Sequence, residues 1–449
     1  MARAIALLPF LLFCRGSLLC AQESAPIQRP NIVVLYADDA GYADFGFQRQ
    51  PAPELASRTP CIDSIAKDGV KFTQAYMSGC VCSPSRAGML TGRYQQRFGH
   101  ESNLPPGSKL GLSLDEKTVA DRMRALGYKT GLVGKWHLGY EAAYHPNRRG
   151  FDWFYGLLQG SRPYVATPQP TPHQVLQENG KETEESGYVT DRLGDAAVRF
   201  IEQHKSEPFF LLVSFTAPHG PLQPKDDDYE SLGDITNDRR RKYAGLVRSL
   251  DDNVGKVLAA LRDNDLDERT LVVFTNDNGG QTQTGAINKP LRGRKGMLVE
   301  GGIRVPLAMR YTGHIQKGRE ITMPVISLDF LPTFVVLGGG KVDPTWKLDG
   351  ADLSPWLAGD HEEPLERDLY WRAGGSDGEA ALRHTHFKLH RKDAGSAFAL
   401  YDLEADVGEA RDIAADNAEL VQQMAARYRS WDEQLVEPLW GAGSERKKR

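Results

Sequence analysis

Residues 31–39 read Asn-Ile-Val-Val-Leu-Tyr-Ala-Asp-Asp, an almost continuous apolar run that ends in two carboxylates. A run of this kind, rich in β-branched residues, predicts a strand that is covered on both faces of its sheet. Outward from it, similar runs predict further strands at Thr130 to Val133, Pro208 to Phe215, Leu271 to Thr275 and Val305 to Met309.

Helical patterns separate these strands. A helix is predicted to open at Thr59-Pro60, with Pro in its first turn, and to stop at Gly69. A longer helix, from about Arg240 to Leu261, keeps one apolar face along its length. Strand and helix in alternation predict an α/β fold, with a large, mostly parallel sheet sandwiched by helices.

The pattern changes near residue 360. Short strands are predicted at Leu369 to Arg372, Ala381 to His390 and Ala397 to Leu403, and an amphipathic helix is predicted from Asn417 to Leu435. We therefore predict a main α/β domain over residues 28–360. A small C-terminal antiparallel sheet with a covering helix would occupy residues 361–440.

The N-terminus resembles a cleavable secretion signal over residues 1–21. Arg3 precedes an apolar stretch from Ala4 to Phe13, and small Ala21 offers a cleavage site. Arg15 interrupts the apolar stretch well short of a bilayer span, which argues against a membrane anchor. The prediction is a secreted or periplasmic protein with no membrane segment once the signal is removed.

Three cysteines would remain after cleavage, at positions 61, 80 and 82. They are too few for a disulfide framework, although Cys61 and Cys80 could pair in an oxidising compartment. The sequence also contains no Asn-x-Ser/Thr glycosylation site, which favours a bacterial protein over a lysosomal one. A formal net charge of −4, with both signs interspersed, gives no basic field for nucleic acid.

Polar residues follow several of the predicted strands directly. They are Asp38-Asp39, Lys135-Trp136-His137, His219 and Asp277-Asn278. Ligands of open α/β sheets bind at the carboxyl ends of the strands, so these groups could converge on one site. The oxygen atoms of Asp38, Asp39, Asp277 and Asn278 suit calcium, with magnesium as an alternative, and the lack of His or Cys among them argues against zinc. Taken alone, Asp38 and Asp39 could equally cap a helix.

The segment Cys82-Ser-Pro-Ser-Arg-Ala-Gly-Met-Leu-Thr-Gly-Arg93 carries the strongest signal. Pro84 suits the first turn of a helix, which would leave residue 82 at the helix N-terminus, where backbone N–H groups favour an anion. Arg86 lies four residues on, on the same helix face. The ordinary interpretation of Cys82 is a small buried residue.

This segment resembles the signature of the type I sulfatases, in the alkaline phosphatase superfamily. The resemblance implies that a formylglycine-generating enzyme oxidises Cys82 to formylglycine during maturation. It implies a metal site of Asp38, Asp39, Asp277, Asn278 and residue 82. It also implies catalytic roles for Cys82, Arg86, Lys135 and His137 in Gly-Lys-Trp-His-Leu-Gly, His219 in Ala-Pro-His-Gly-Pro, and Lys295 in Arg-Lys-Gly.

The resemblance further implies a mechanism for cleaving sulfate esters. The aldehyde at position 82 would hydrate to a geminal diol, and one hydroxyl would attack sulfur. His219, helped by Lys295, would protonate the departing oxygen, and His137 would take the proton of the second hydroxyl as sulfate leaves. Lys135, Lys295 and the metal would neutralise the sulfate oxygens.

Secretion, one polar pocket and the resemblance together predict a sulfated carbohydrate substrate. Expected substrate contacts are His100, Asn103 and Arg292, with further candidates at Glu101, Arg162, His173 and Asn288. Two alternatives remain open. One is a phosphodiesterase or phosphonate monoester hydrolase of the same superfamily, and the other is a non-enzymatic glycan- or metal-binding protein, if Cys82 is not modified.

Overall fold

A large mixed sheet forms the centre of the protein. The structure is a computed structural model that describes residues 29–444, so the predicted signal over residues 1–21 lies outside it. The strand order is β10-β2-β9-β8-β1-β7-β3-β4-β5-β6, with β11 paired to β2. The strands are β1 Asn31–Ala37, β2 Val70–Tyr76, β3 Lys129–Lys135, β4 Trp153–Leu157, β5 Gln177–Glu178, β6 Lys181–Glu182, β7 Phe209–Ser214, β8 Thr270–Asn276, β9 Arg304–Arg310, β10 Arg319–Ile321 and β11 Val325–Ile326.

The middle of this sheet is parallel, as the sequence predicts. Strand β1 pairs in parallel with β7 on one side and with β8 on the other, and β3 pairs in parallel with β7 and β4. Strand β9 runs antiparallel to both β8 and β2, so β2 points the same way as β8. The carboxyl ends of β1, β2, β3, β7 and β8 therefore lie at one edge of the sheet.

Helices cover both faces of the sheet because the buried residues of each strand alternate between them. Val33 and Leu35 of β1 pack with α1, α4 and α6, whereas Ile32 and Val34 pack on the other face with α2, α3 and α8. None of the helices in the described residues is long and apolar enough to cross a membrane. The helices are α1 Pro60–Lys67, α2 Cys82–Thr91, α3 Val119–Ala125, α4 Val189–His204, α5 Asp226–Glu230, α6 Asp238–Asp263, α7 Glu300–Ile303, α8 Phe330–Leu337, α9 Ser354–Ala358 and α10 Ala418–Asp432.

A second, four-stranded antiparallel sheet follows, as the sequence predicts. Its strands are β12 Asp368–Ala373, β13 Glu379–His384, β14 Phe387–Arg391 and β15 Ala399–Asp402, and α10 packs on it. The single strand expected from Ala381 to His390 is wrong, because the chain reverses at Thr385 and forms a hairpin of β13 and β14. Thr385 has a positive φ of 52°, a value typical of tight turns. The division into two domains at residue 360 stays a prediction.

The described cysteines, Cys61, Cys80 and Cys82, are all free thiols. The backbone N–H of Cys61, at the start of α1, donates to Asp251 of α6. Cys80 is buried in the apolar cluster under the small sheet. The pairing of Cys61 with Cys80 that the sequence leaves open is therefore absent from this structure.

Buried ion pairs join the small sheet to the large one. Lys388 Nζ of β14 lies 2.9 Å from Glu300 Oε1 and 3.0 Å from Glu409 Oε1, and all three side chains are fully buried. Arg304 of β9 also faces Glu300, at 3.2 Å. Burial opposes the charge of Glu300, but Lys388 and Arg304 outweigh it and hold its pKa at about 2. Lys388 thus balances two carboxylates where the two sheets meet.

We expect Lys388→Met to lower the free energy of unfolding by about 3–5 kcal/mol, because two carboxylates lose a buried counter-ion. Lys317→Met is the control, since Lys317 and Asp68 form an exposed pair 3.4 Å apart and such pairs contribute less than about 1 kcal/mol. Urea unfolding followed by fluorescence measures both variants. Equal stability of the two would contradict the role given to Lys388.

Candidate active site

Side chains from five strand ends and one connecting loop converge at the carboxyl edge of the large sheet. Asp38 and Asp39 follow β1, Asp277 and Asn278 follow β8, and His219 follows β7. Lys135 is the last residue of β3, and His137 comes two residues later. Cys82 follows β2 as the first residue of α2. Lys295 reaches the same edge from the loop before β9. Because β9 runs antiparallel to β8, it begins at the edge where β8 ends.

Cys82 lies among the carboxylates and Lys295. Its Sγ is 3.5 Å from Asp38 Oδ1, 3.9 Å from Asp39 Oδ1 and 3.3 Å from Lys295 Nζ. The thiol is buried at the N-terminus of α2, as the sequence predicts. Burial, followed by the charge of Asp277, raises the pKa of the Cys82 thiol well above its usual range. Unmodified Cys82 is therefore a neutral thiol and a poor nucleophile.

Two buried ion pairs neutralise the carboxylates at the centre. Lys135 Nζ lies 2.6 Å from Asp38 Oδ2, and Arg86 Nη2 lies 2.9 Å from Asp277 Oδ2 and 3.9 Å from Asp38 Oδ1. Burial and the neighbouring Asp277 raise the pKa of Asp38. Burial also opposes the charge of Asp277, but Arg86 outweighs it and lowers the pKa of that carboxyl. The centre therefore holds closely spaced carboxylates only because cations stand beside them.

Lys295 and His219 complete the surroundings of Asp39. Lys295 Nζ is 2.7 Å from Asp39 Oδ2, and His219 Nε2 is 3.5 Å from the same oxygen. His219 Nδ1 lies 2.6 Å from the carbonyl oxygen of Gly220, so that nitrogen carries the proton it donates. Nε2 is thus the imidazole nitrogen that faces the site. Both side chains keep some exposure, unlike Lys135 and Asp38.

His137 is held by its backbone and its neighbours. Its φ is +58°, and that of Asp39 is +65°, both in the left-handed region that non-glycine residues rarely adopt. Burial, followed by the charge of Lys135, lowers the pKa of His137 well below its usual range, so the ring is neutral. A Cβ on Gly160 would lie 2.5 Å from the ring, so only glycine fits beside it.

The donor set fits a divalent metal ion. Ligand atoms of Asp38, Asp39, Cys82 and His219 lie within 4.8 Å of one another. Asn278 adds a buried side-chain oxygen with no hydrogen-bond partner, while its amide nitrogen donates to Asp39 Oδ1 at 2.8 Å. A buried oxygen without a donor beside clustered carboxylates is the environment that a hard cation satisfies. Asp38, Asp39 and Cys82 belong to the predicted metal set, whereas the sequence does not predict His219 as a ligand. Metal ligation by Asp277 and Asn278 stays a prediction.

The expected substrate contacts lie in different surroundings. His100 is fully buried, its Nε2 is 2.6 Å from Ser83 Oγ, and burial lowers its pKa to about 3. Asn103 is exposed and accepts the backbone N–H of Ser83 at 2.9 Å. Since His100 has no exposed surface to offer a sugar, the structure does not support the contact predicted for it. Both residues support the first turn of α2.

Arg292 is the candidate with an exposed side chain on the same loop as Lys295. Its guanidinium lies 5.0 Å above the Tyr401 ring, and its Nε is 3.7 Å from Glu409. A substrate contact by Arg292 or Asn103 stays a prediction. The other candidates have protein partners: Glu101 pairs with Arg372, Arg162 with Glu185, His173 stacks on Tyr140, and Asn288 bonds Gly280.

Sequence reasoning misses two supporting residues. Ser214 ends β7 at the functional edge, donates to the Lys135 carbonyl at 2.8 Å and contacts Arg86. Its position at a strand end is the same signal that identifies Asp38, so the pattern could have found it. Gly160 gives no such signal, because only the packed structure shows its contact with His137.

Comparisons with known proteins agree on one family. The family model "Sulfatase" matches residues 30–340, and "N-sulphoglucosamine sulphohydrolase, C-terminal" matches residues 294–434. Human arylsulfatase A is 33% identical, over 88% of this chain and 85% of its own length.

Solved structures agree with the sequence comparisons. The crystal structure of Ps i-CgsB in complex with k-i-k-neocarrahexaose is 36% identical with a TM-score of 0.87, covering 92% of this chain and 95% of that one. The phosphonate monoester hydrolase of Agrobacterium radiobacter shares the fold at 21% identity and a TM-score of 0.66, covering 91% and 96%.

We expect Asp39→Asn to weaken calcium binding at least about tenfold, because a charged oxygen is lost from the donor set. Asp349→Asn is the control, since Asp349 is a largely buried carboxylate that pairs with Arg97 elsewhere. Titration calorimetry of the metal-free proteins measures both affinities. Wild-type affinity in Asp39→Asn would contradict the metal site.

Proposed function

Because the chain belongs to the sulfatase family, we propose that it removes sulfate from a sulfated carbohydrate through a formylglycine made from Cys82. Family membership makes the protein an enzyme that hydrolyses sulfate esters. The identity of the nucleophile, the metal, the sugar and the role of each side chain belong to the proposal. So does its setting, a protein that is secreted or periplasmic.

One observation carries the proposal: residue 82 lies at a helix N-terminus, beside the carboxylates of Asp38 and Asp39 and the ammonium group of Lys295. Burial raises the pKa of the unmodified Cys82 thiol and so disfavours the thiolate, which is the nucleophilic form of cysteine. A formylglycine at this position supplies, when hydrated, one hydroxyl to attack sulfur and a second that loses its proton to reform the aldehyde, so that sulfate leaves with the first oxygen. A formylglycine-generating enzyme is the maturation partner that this residue requires.

Asp38, Asp39, Asp277 and Asn278, with residue 82, would hold the metal, for which we propose calcium. A divalent ion there supplies positive charge for the sulfate oxygens. Lys135, Arg86 and Lys295 of the chain add fixed positive charge around residue 82, and their ion pairs hold them in place before substrate arrives. Preorganised charge of this kind stabilises the negative charge that develops as the ester bond breaks.

We propose that the two histidines transfer protons. His219 Nε2 faces the site and its side chain is partly exposed, so in the doubly protonated ring Nε2 could donate its proton to the departing sugar oxygen while Nδ1 keeps its hydrogen bond to Gly220. His137 has a ring nitrogen, Nδ1, with no hydrogen-bond partner, which supports its role as acceptor of the proton released when sulfate is expelled. We therefore propose the acid role for His219 and the base role for His137.

The carbohydrate part of the proposal rests on a related structure. Ps i-CgsB, 36% identical over 92% of this chain, was crystallised with k-i-k-neocarrahexaose. A similar oligosaccharide is therefore the first substrate to test. We propose removal of single sulfate groups from sugar hydroxyls, with aryl sulfates as artificial substrates.

The alternative from the same superfamily is hydrolysis of phosphate diesters or phosphonates. The phosphonate monoester hydrolase supports it only through a shared fold, at 21% identity. We expect turnover of 4-nitrophenyl sulfate to exceed that of bis(4-nitrophenyl) phosphate by at least about a hundredfold in kcat/KM, because each site stabilises one transition state best. The reverse order would favour the alternative.

The first experiment is mass spectrometry of the peptide that contains residue 82, from protein produced in its native host. We expect the mass of an aldehyde in place of a thiol, together with aldehyde reactivity. Unmodified cysteine would refute the proposed nucleophile and favour a non-enzymatic binding protein.

We expect Cys82→Ser to abolish repeated turnover of 4-nitrophenyl sulfate, because a sulfated serine has no second hydroxyl with which to expel sulfate. Cys61→Ser is the control, since Cys61 lies outside the site on α1. Release of 4-nitrophenol measured over many turnovers distinguishes the two. Near-normal turnover by Cys82→Ser would refute the mechanism.

A further inference from the structure

The loop over residues 289–299, which we call the lysine loop, carries Lys295 to the site. It contains turns but no helix or strand, and Gly293 and Gly296 both have positive φ. Lys295 is the loop side chain that contacts both Asp39 and Cys82. A segment without regular hydrogen bonding needs other contacts to hold such a side chain in place.

Different parts of the chain anchor the lysine loop near its middle and near its C-terminal end. Near its middle, the backbone N–H of Gly296 donates to the Cys80 carbonyl at 2.8 Å. Three residues beyond Lys295, the backbone N–H of Leu298 donates to Glu379 Oε1 at 2.8 Å. Glu379 is the first residue of β13, so this second anchor comes from the small C-terminal sheet.

Glu379 is itself held in place. Nε2 of His390, in β14, lies 2.7 Å from the same oxygen, Oε1 of Glu379. Both side chains are mostly buried. The neighbouring backbone N–H of Glu300, just after the loop, donates to Glu409 Oε2 at 2.8 Å. The small sheet thus supplies a fixed acceptor to Leu298, and the segment after β15 supplies a second one, Glu409, to the residue that follows the loop.

We propose that Glu379 is a positioning residue for Lys295: it fixes the lysine loop so that the ammonium group stays against Asp39 and residue 82. The inference rests on the proposed catalytic role of Lys295 and deepens it. It makes the small C-terminal sheet part of the catalytic apparatus, acting through one backbone hydrogen bond. A displacement of about 1 Å at a positioning contact can cost about a hundredfold in rate.

The small sheet offers a matched control. Asp368 and His384 form a second acid–histidine pair, also 2.7 Å apart, in which the carboxylate is 15% exposed against 17% for Glu379. That pair faces Arg427 of α10 and makes no hydrogen bond to the lysine loop. Loss of either pair should affect the stability of the sheet similarly, so only an effect through the loop separates them.

The experiment compares Glu379→Ala, Glu379→Gln and Asp368→Ala in the full chain. Hydrogen–deuterium exchange of peptides over residues 289–299 needs no activity. We expect faster exchange in Glu379→Ala, and near wild-type exchange in Glu379→Gln, whose amide oxygen can still accept from Leu298, and in Asp368→Ala. Unchanged exchange in Glu379→Ala would overturn the inference, whether or not the proposed function holds.

Kinetics with 4-nitrophenyl sulfate then test whether the effect of Glu379 on turnover depends on Lys295. We expect Glu379→Ala to lower kcat about tenfold in the wild-type background. In a Lys295→Ala background the same change should alter kcat less than about twofold, because coupled residues are not additive. Additive losses of kcat would overturn the inference. Absence of sulfatase activity in the wild-type protein would refute the proposed function, and the exchange experiment would then still test the contact between Glu379 and the lysine loop.

Discussion

The ion pair between Lys135 and Asp38 joins the fold to the site. Both side chains are fully buried, and an isolated charge in that position would be far too costly to keep. The pair persists because β3 and β1 both flank β7 in parallel, which brings the end of one beside the end of the other. Arg86 and Asp277 repeat the arrangement from α2 and β8.

Five strand ends can therefore meet at one edge only if the charges that they bring are balanced. Each carboxylate brought there needs a cation from a neighbouring element, and the sequence supplies Lys135, Arg86 and Lys295. The same cations then surround the position where a sulfate group is proposed to bind. Charge balance in the folded state and charge stabilisation during the reaction thus rely on the same side chains.

Much of this arrangement can be predicted from the sequence because it depends on local patterns. The apolar run before Asp38 predicts β1, and the rule that ligands bind at the carboxyl ends of parallel strands brings Asp277, His219 and His137 to the same edge. The spacing in the motif from Cys82 predicts the start of α2.

The remainder depends on long-range packing. His100 is polar and lies near the motif, so it resembles a surface contact, yet it packs on Trp440 from the far end of the chain. The break between β13 and β14 at Thr385 involves neither Gly nor Pro, so no local signal marks it. The contact of Glu379 with Leu298 joins residues that are distant in sequence, and it becomes visible only in the folded chain.

The left-handed backbone at Asp39 and His137 has a consequence for how the protein can change. Each of these residues holds a conformation that costs about 1–3 kcal/mol for a residue with a side chain, and their surroundings keep them in it. Glycine would relieve that cost but remove the carboxylate and the imidazole from the proposed site. A lineage that keeps these two side chains therefore keeps their strain, and we expect its stabilising substitutions at other positions.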